Sequence, residues 1–354
     1  MSVTKNDWQV SRWLILGIIS VALMLILGSI TRLTNSGLSM VEWKPITGTL
    51  PPLNDLQWQE EFTKYKTSPE YIKLNYHFDL AQFKEIFFWE YSHRLLGRVI
   101  GLVFFIPFIF FLIKKKIKSK KLLVHLLVIF FLGGMQGVIG WFMVKSGLKD
   151  NPHVSHLWLS VHLVTALFLI SYIFVTVLHL LFPNRNTVHT PKTKKVLILS
   201  KILLVFASIQ IVYGAFIAGL KAGKLHATFP KMGNEWFPSK IGKEFANNGF
   251  FSLFEEANTI LFIHRWLAVI VLLLVFYIIY NARNIVITLQ QKSALKYLLV
   301  AISIQFLLGI FTILYGVPVV LGVLHQFGAM LFLLSILTMM YFFKSDNSLK
   351  DKIV

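Results

Sequence analysis

The chain has 354 residues, is 56% hydrophobic, carries a formal net charge of +19 and contains no cysteine. Without cysteine there is no disulfide, thiolate metal site or thiol nucleophile, so metal or cofactor chemistry must rest on His, Met, Tyr or carboxylates. The positive charge does not point to nucleic acid, because bilayer-length apolar runs recur along the chain and polytopic proteins concentrate Lys and Arg in their inner connections.

Eight such runs are expected, at about 13–33, 90–113, 122–144, 156–182, 196–220, 259–280, 297–315 and 319–343. They predict an all-α polytopic membrane protein. The first run is too long for a signal peptide and lacks a small-residue cleavage motif, so it reads as a true span. The connections after the second, fourth and sixth spans are basic and free of acids: Lys114, Lys115, Lys116, Lys118, Lys120 and Lys121; Arg185, Lys192, Lys194 and Lys195; Arg283, Lys292 and Lys296. The positive-inside rule places them, with both termini, on the cytoplasmic side of a bacterial inner membrane. The long connections 34–89 and 221–258 then face outward. They contain Trp43, Trp58 and Trp236, and predict a packed lid. Within the first, Asn54 and Asp55 cap a short amphipathic helix running to Lys66, expected at the membrane interface.

At the mouth of the second span stands Phe88-Trp89-Glu90-Tyr91-Ser92-His93-Arg94-Leu95-Leu96-Gly97-Arg98. Ionisable groups at a bilayer edge are costly, and Glu90 and His93 share a helix face. The two halves of the chain resemble each other. Tyr91-Ser92-His93-Arg94-Leu95 corresponds to Phe262-Ile263-His264-Arg265-Trp266, and Gln136 to Gly140 corresponds to Gln305 to Gly309. His162 and His325 open the fourth and eighth spans at matching depth. The repeat therefore predicts two parallel four-helix bundles, 1–195 and 196–354, each with a histidine pair near the outer leaflet.

A lone intramembrane histidine is as readily a hydrogen-bonded packing residue as a ligand. Four at repeat-related positions favour ligation, and two pairs on neighbouring helices suit bis-histidine hemes better than zinc or copper. Each is followed one turn on by a small residue, Gly97, Ala166, Ala268 or Ala329; this gives room for a flat macrocycle or allows close helix packing. His125 and His179 read as interfacial. His77, His153, His156, His189 and His226 read as loop or boundary residues. Arg94, Arg98 and Arg265 either snorkel to headgroups or pair with heme propionates. Glu90 is either an interfacial carboxylate paired with Arg94 four residues on or a reactive group; its counterpart in the repeat is Leu261, which can neither ionise nor transfer a proton. The half with the carboxylate therefore looks like a reaction site, and the half with ligands alone like an electron-transfer site.

Taken together, these residues resemble heme A synthase over nearly the whole chain. The resemblance is carried by Thr31-Arg32-Leu33-Thr34-Asn35-Ser36-Gly37-Leu38-Ser39-Met40 with Trp43-Lys44-Pro45, and by Glu90 to Arg98. It continues through Gly133-Gly134-Met135-Gln136-Gly137, Gly140 to Leu148 and Gly219-Leu220-Lys221-Ala222-Gly223, and ends with His264-Arg265, Val317-Pro318 and His325-Gln326. The cysteine-free branch, of alphaproteobacterial and mitochondrial type, is the one it is similar to. The resemblance implies two successive oxidations of the C8 methyl of heme O, through a hydrated aldehyde, to the formyl of heme A. It implies substrate ligands His93 and His162, heme b cofactor ligands His264 and His325, and Glu90 as the catalytic carboxylate, removing a proton or stabilising a developing cation. Expected partners are heme O, membrane lipid and, with no motif that marks them, the heme O-producing farnesyltransferase, oxidase assembly factors and a second copy of the chain. His226-Ala227-Thr228-Phe229-Pro230 departs from the family pattern, as does the segment before His162, and no role is assigned to the His226 loop. Two rival readings are a di-heme b-type electron-transfer cytochrome, which gives Glu90 no purpose, and a parallel-repeat transporter, which does not explain charges gathered at one face.

Overall fold

The computed structural model of the protein describes residues 3–42, 47–149, 152–184, 187–188 and 190–344. Trp43, Lys44, Pro45, Arg185 and His189 lie outside the described residues. Among the described residues the regular structure is helical, apart from one isolated bridge between Met232 and Glu235. In chain order the helices are α1 (Lys5–Leu33), α2 (Asp55–Lys66), α3 (Leu80–Ile113), α4 (Lys120–Gly147), α5 (His156–Leu181), α6 (Pro191–Gly219), α7 (Ser239–Asn248), α8 (Ser252–Glu255), α9 (Ala257–Ala282), α10 (Leu289–Leu314) and α11 (Val319–Phe343). The 8 long apolar helices, α1, α3, α4, α5, α6, α9, α10 and α11, match the expected spans one to one and make this a multi-pass membrane protein.

Helix starts differ from the hydropathy reading for a local reason. Capping boxes at Asp79 with Gln82, Thr190 with Thr193 and Thr288 with Gln291 begin α3, α6 and α10 in polar sequence that an apolar window excludes. The largest change is at α3, whose 34 residues span about 51 Å, more than the roughly 30 Å hydrocarbon core requires. Glu90 therefore lies inside a continuous helix, with three turns of α3 preceding His93.

The long connection 34–89 carries α2 where Asn54 and Asp55 predicted it, with the Asn54 side chain accepting from Gln57 N at 2.9 Å. Its apolar face is buried against α3 and not in lipid. Phe62 and Tyr65 stack on Phe83 at centroid distances of 5.1 Å, and Trp58 meets Phe87 edge-on.

The chain divides into two compact units, Leu16–Ile170 and the described residues of Met1–Ile15 with Ser171–Val354. In the latter, α6 packs on α9 and α11, and α10 packs on the same two helices. Leu203, Val275, Ile278, Leu298, Ile336 and Met339 form its seam. Between membrane helices such contact, more than water exclusion, holds the bundle together. In the former, α3 packs on α4. The pairs α1–α3 and α4–α5, which correspond to α6–α9 and α10–α11, are spaced more widely along their backbones.

Candidate functional site

The structure brings the four candidate histidines together as two pairs. His93 on α3 and His162 on α5 lie close enough to interact electrostatically, and so do His264 on α9 and His325 on α11. Each imidazole rests against a glycine of a neighbouring helix. A Cβ built there would stand 3.1 Å from His93 at Gly28, 3.3 Å from His162 at Gly140, 3.1 Å from His264 at Gly214 and 3.0 Å from His325 at Gly309. Four odd-numbered spans thus offer four bare backbones to four histidines on even-numbered spans. Gly140 and Gly309 stood in the sequence repeat without a role, and Gly28 and Gly214 were missed.

One turn before each glycine the residues are Met24, Gln136, Gln210 and Gln305. In the second half the glutamines hold the histidines. Gln210 Nε2 donates to the His264 carbonyl at 3.0 Å and lies 3.3 Å from His264 Nε2, while His264 Nδ1 donates to the Gln210 carbonyl at 3.2 Å. Gln305 Nε2 donates to the His325 carbonyl at 3.0 Å and lies 3.2 Å from Nδ1. Partners of this kind orient a ligand ring and set its basicity. The first half differs. Both amide atoms of Gln136 are buried without a hydrogen-bond partner, as is Nδ1 of His162. Met24 cannot donate at all, and its Cε comes within 3.0 Å of a Cβ built on Gly97.

That contact corrects one expectation. The small residue at Gly97 receives a side chain from the neighbouring helix, which is the packing alternative, and the glycines beside the rings are those on α1, α4, α6 and α10. Gly328, next to Ala329, is likewise filled by Gln305, whose Oε1 would lie 2.3 Å from an added Cβ there.

Glu90 is 3% exposed, and every carboxylate bond it makes is to a specific group. Arg94 Nη2 donates to Oε1 at 2.6 Å; Ser39 Oγ and Met40 N donate to Oε2 at 2.7 and 2.9 Å. The segment from Thr31 to Met40 folds to deliver these donors. Asn35 turns the chain with φ 52°, Ser36 N returns to the Thr31 carbonyl, and Thr31 Oγ1 reaches the Trp89 carbonyl at 3.3 Å. Leu38 then packs on Gly147 at the end of α4, and Ser146 Oγ accepts from Ser155 N. Leu261, the repeat counterpart of Glu90, is fully buried.

The arginines divide. Arg94 also donates to the carbonyls of Met40 and Glu42, each at 3.0 Å. Arg265, 7% exposed, donates to the carbonyls of Thr228, Lys231 and His226 at 2.8, 3.2 and 2.7 Å. Each ties down a long connection, Arg94 the one after α1 and Arg265 the one after α6. The His226 loop, to which no role was given, is the partner of Arg265, and His226 Nε2 meets Asn258 Oδ1 at 3.0 Å. Arg98 is half-buried one turn beyond Arg94. Of the remaining histidines, His77 packs between Tyr76 and Phe78 and His179 edge-on against Tyr341.

Two donors per pair, bare backbone beside each ring and the buried unbonded Nδ1 of His162 suit axial ligation of a flat macrocycle. Among the described residues no three His, Asp or Glu gather as a zinc cluster would require. Fold and site together define an all-α, multi-pass membrane protein with two facing histidine pairs, one of them beside a buried carboxylate. Residues 11–337 match the COX15-CtaA family, described as "Cytochrome oxidase assembly protein". The chain is 43% identical over 326 residues to "Heme A synthase" of Flavobacterium psychrophilum, covering 91% of this chain and 94% of that one. It is 42% identical over 327 residues to "Heme A synthase" of Flavobacterium johnsoniae, with 91% and 94% covered, and 40% identical over 322 residues to that of Wolbachia pipientis wMel, with 90% and 87% covered. The chain belongs to this family.

Proposed function

We propose that the protein is a heme A synthase: an oxidoreductase that converts the C8 methyl of heme O to a formyl group in two successive steps, giving heme A for terminal oxidase biogenesis. The observation that carries the assignment of roles is the asymmetry between otherwise matched halves. His93 and His162 hold the substrate iron beside Glu90. His264 and His325, gripped by Gln210 and Gln305 in the half that has Leu261 in place of the carboxylate, hold a resident heme b. The functional division at 195/196 follows from this pairing.

When bound, heme b supplies one-electron redox capacity in the half that has no acid–base group. The chain's own residues do the rest. His93 and His162 fix the porphyrin plane, so that one methyl is presented repeatedly to the same wall of the site. Glu90, fixed by Arg94, Ser39 and Met40, is placed to take a proton from the reacting carbon or its added oxygen, or to stabilise positive charge developing there. Two oxidations at one carbon, each passing two electrons to an external acceptor and taking one oxygen atom from water or dioxygen, give a hydrated aldehyde, which loses water to the formyl. The outer loops tied down by Arg94 and Arg265 exclude water from above each pair. Arg98, half-buried one turn beyond Arg94, is a candidate for a substrate propionate, as are Arg94 and Arg265.

The protein sits in the inner membrane with its basic connections and termini in the cytoplasm, and both histidine pairs lie toward the outer leaflet. Lipid and heme O are its immediate partners; the heme O-producing farnesyltransferase is the natural donor of so apolar a substrate. Extraction and chromatography of the pigments of purified protein test the reading. Heme B with heme O or heme A is the expected content. Heme B alone, when heme O is supplied, would mean a di-heme carrier.

A further inference from the structure

The glutamines one turn before the ring-facing glycines differ between the halves in a way the oxidation chemistry does not explain. In the second half both histidines are held, through Gln210 on α6 and Gln305 on α10. In the first half, the position of Gln210 is Met24, turned into the space at Gly97, and the position of Gln305 is Gln136, buried with both amide atoms unbonded. A buried amide without a partner is rare, and here it lies one turn from the glycine that seats His162, whose Nδ1 is also unbonded. The sequence marks the device: Gln followed four residues later by Gly occurs at Gln136, Gln210 and Gln305 and nowhere else in the chain, and only the α1 site lacks it.

We propose that these residues set the residence time of the porphyrin in each half: glutamine clamps at Gln210 and Gln305 retain one iron porphyrin, whereas Met24 and the disengaged Gln136 leave the pair His93–His162 free to release another. The physical reason is preorganisation. A ligand histidine whose backbone carbonyl is held by a side-chain amide on the neighbouring helix keeps its place when the iron–nitrogen bond stretches, and recaptures the iron. A histidine without that hold moves away and lets the porphyrin go. A cofactor needs the first behaviour, and a substrate that must depart as product needs the second. The wider spacing of α1–α3 and α4–α5 relative to α6–α9 and α10–α11 acts in the same direction. Met24, Gln210 and Gln305 are thus positioning residues, acting through the histidines.

The proposal rests on the reading that each pair holds a porphyrin, and the experiment separates the two. Purified full-length protein in detergent, loaded with heme B and heme O, is mixed with excess apomyoglobin, and transfer is followed by absorbance. A fast and a slow phase are expected. His93→Met should remove the fast phase and His264→Met the slow one; the reverse assignment, or a single phase, overturns the reading of the halves. With the phases assigned, Met24→Gln should slow the fast phase by roughly fivefold, the worth of one added hydrogen bond. Gln210→Met and Gln305→Met should each speed the slow phase by about the same factor. Heme content at zero time is measured in every variant, so that a change in rate is distinguished from misfolding. Because the two clamps lie on different helices, loss of one variant leaves the other to decide. Unchanged rates in Met24→Gln and in whichever of the two glutamine variants is fully loaded would overturn the clamp while leaving the assignment of the halves intact.

Discussion

Glu90→Gln separates chemistry from architecture most cleanly. Glu90 stands one turn before His93 on α3 and ties Ser39, Met40 and Arg94 together; the proposed function gives it a chemical job as well. The amide keeps one acceptor, which Ser39 Oγ and Met40 N can share, and loses the counter-charge to Arg94. Removing one partner of a buried ion pair costs about 3–5 kcal/mol. The Arg94 side chain is 15% exposed and retains two carbonyl acceptors, so a loss of about 2 kcal/mol is expected for Glu90→Gln. Glu90→Ala, which leaves Met40 N without its acceptor and Ser39 Oγ with only the more distant Ser36 and Ile86 carbonyls, should lose about 3–4 kcal/mol. Against a total stability of about 5–15 kcal/mol, the glutamine variant stays folded. A positioned general base contributes about 10²–10⁴ in rate. Heme A formation should therefore fall by at least about a hundredfold while both porphyrins stay bound, with the hydroxylated intermediate accumulating. Glu90→Ala should show the same stall on a less stable protein. The assay is pigment extraction and chromatography, normalised to bound heme. Heme A production at the wild-type rate would refute a chemical role, and loss of the first-half porphyrin would show that Glu90 only shapes the site.

Other consequences follow from single contacts. His264→Met should lower bound heme B and spare heme O binding more than His93→Met does; equal losses would mean that the halves are not separate sites. Gly309→Ala puts a Cβ 3.0 Å from His325, so the ring must shift, and the low-spin ferric signal of the second-half heme should move in electron paramagnetic resonance while heme content stays near normal. Arg265→Met strips three loop carbonyls of their donor at a cost of about 1–3 kcal/mol, and limited proteolysis should then cut near Thr228 to Lys231 faster. Glu244 is pushed up by burial, but hydrogen bonds from Thr259 and Asn258 overcome this and hold it below the usual carboxylate range. Its stabilisation of the α9 start is fully present above the ordinary value of 4.5 and fades as pH falls through the lowered one. Hydrogen exchange at Asn258 and Thr259 amides should increase over that acidic window, and in Glu244→Gln the increase should be absent.

The spans, the histidine repeat and the α2 cap were legible in the sequence because each depends on local pattern: apolar length, motif order, Asn54 before Asp55. The helix starts were less so, since Asp79 with Gln82 adds polar turns to α3 that hydropathy cannot see. The arginine contacts were hidden for another reason. Arg94 pairs with Glu90, as their spacing of four allows, but its other donors and those of Arg265 go to backbone carbonyls, and carbonyls carry no sequence signature. Ser39 and Met40 lay in plain view within a recognised motif, but only the fold of the segment from Thr31 shows that they serve Glu90. Gly28 and Gly214 needed a register for α1 against α6, which the Gln-to-Gly spacing supplies for α6, α4 and α10 but not for α1.

That exception bears on how one bundle came to serve two purposes. On the proposed division into two matched halves, the corresponding positions differ at Glu90 against Leu261, Met24 against Gln210, and a disengaged Gln136 against an engaged Gln305. The first substitution adds acid–base capacity to one half. The other two differences weaken the hold on that half's histidines. Either change alone would be unproductive, because a reactive site that never releases its porphyrin turns over once, and a releasing site without a carboxylate loses an unmodified substrate. Their occurrence in the same half is what a substrate site requires. Met24→Gln in an otherwise native chain should accordingly leave the first turnover intact and slow the later ones, as pre-steady-state and steady-state yields of heme A can show. Equal slowing of both would place Met24 in the chemistry and not in release.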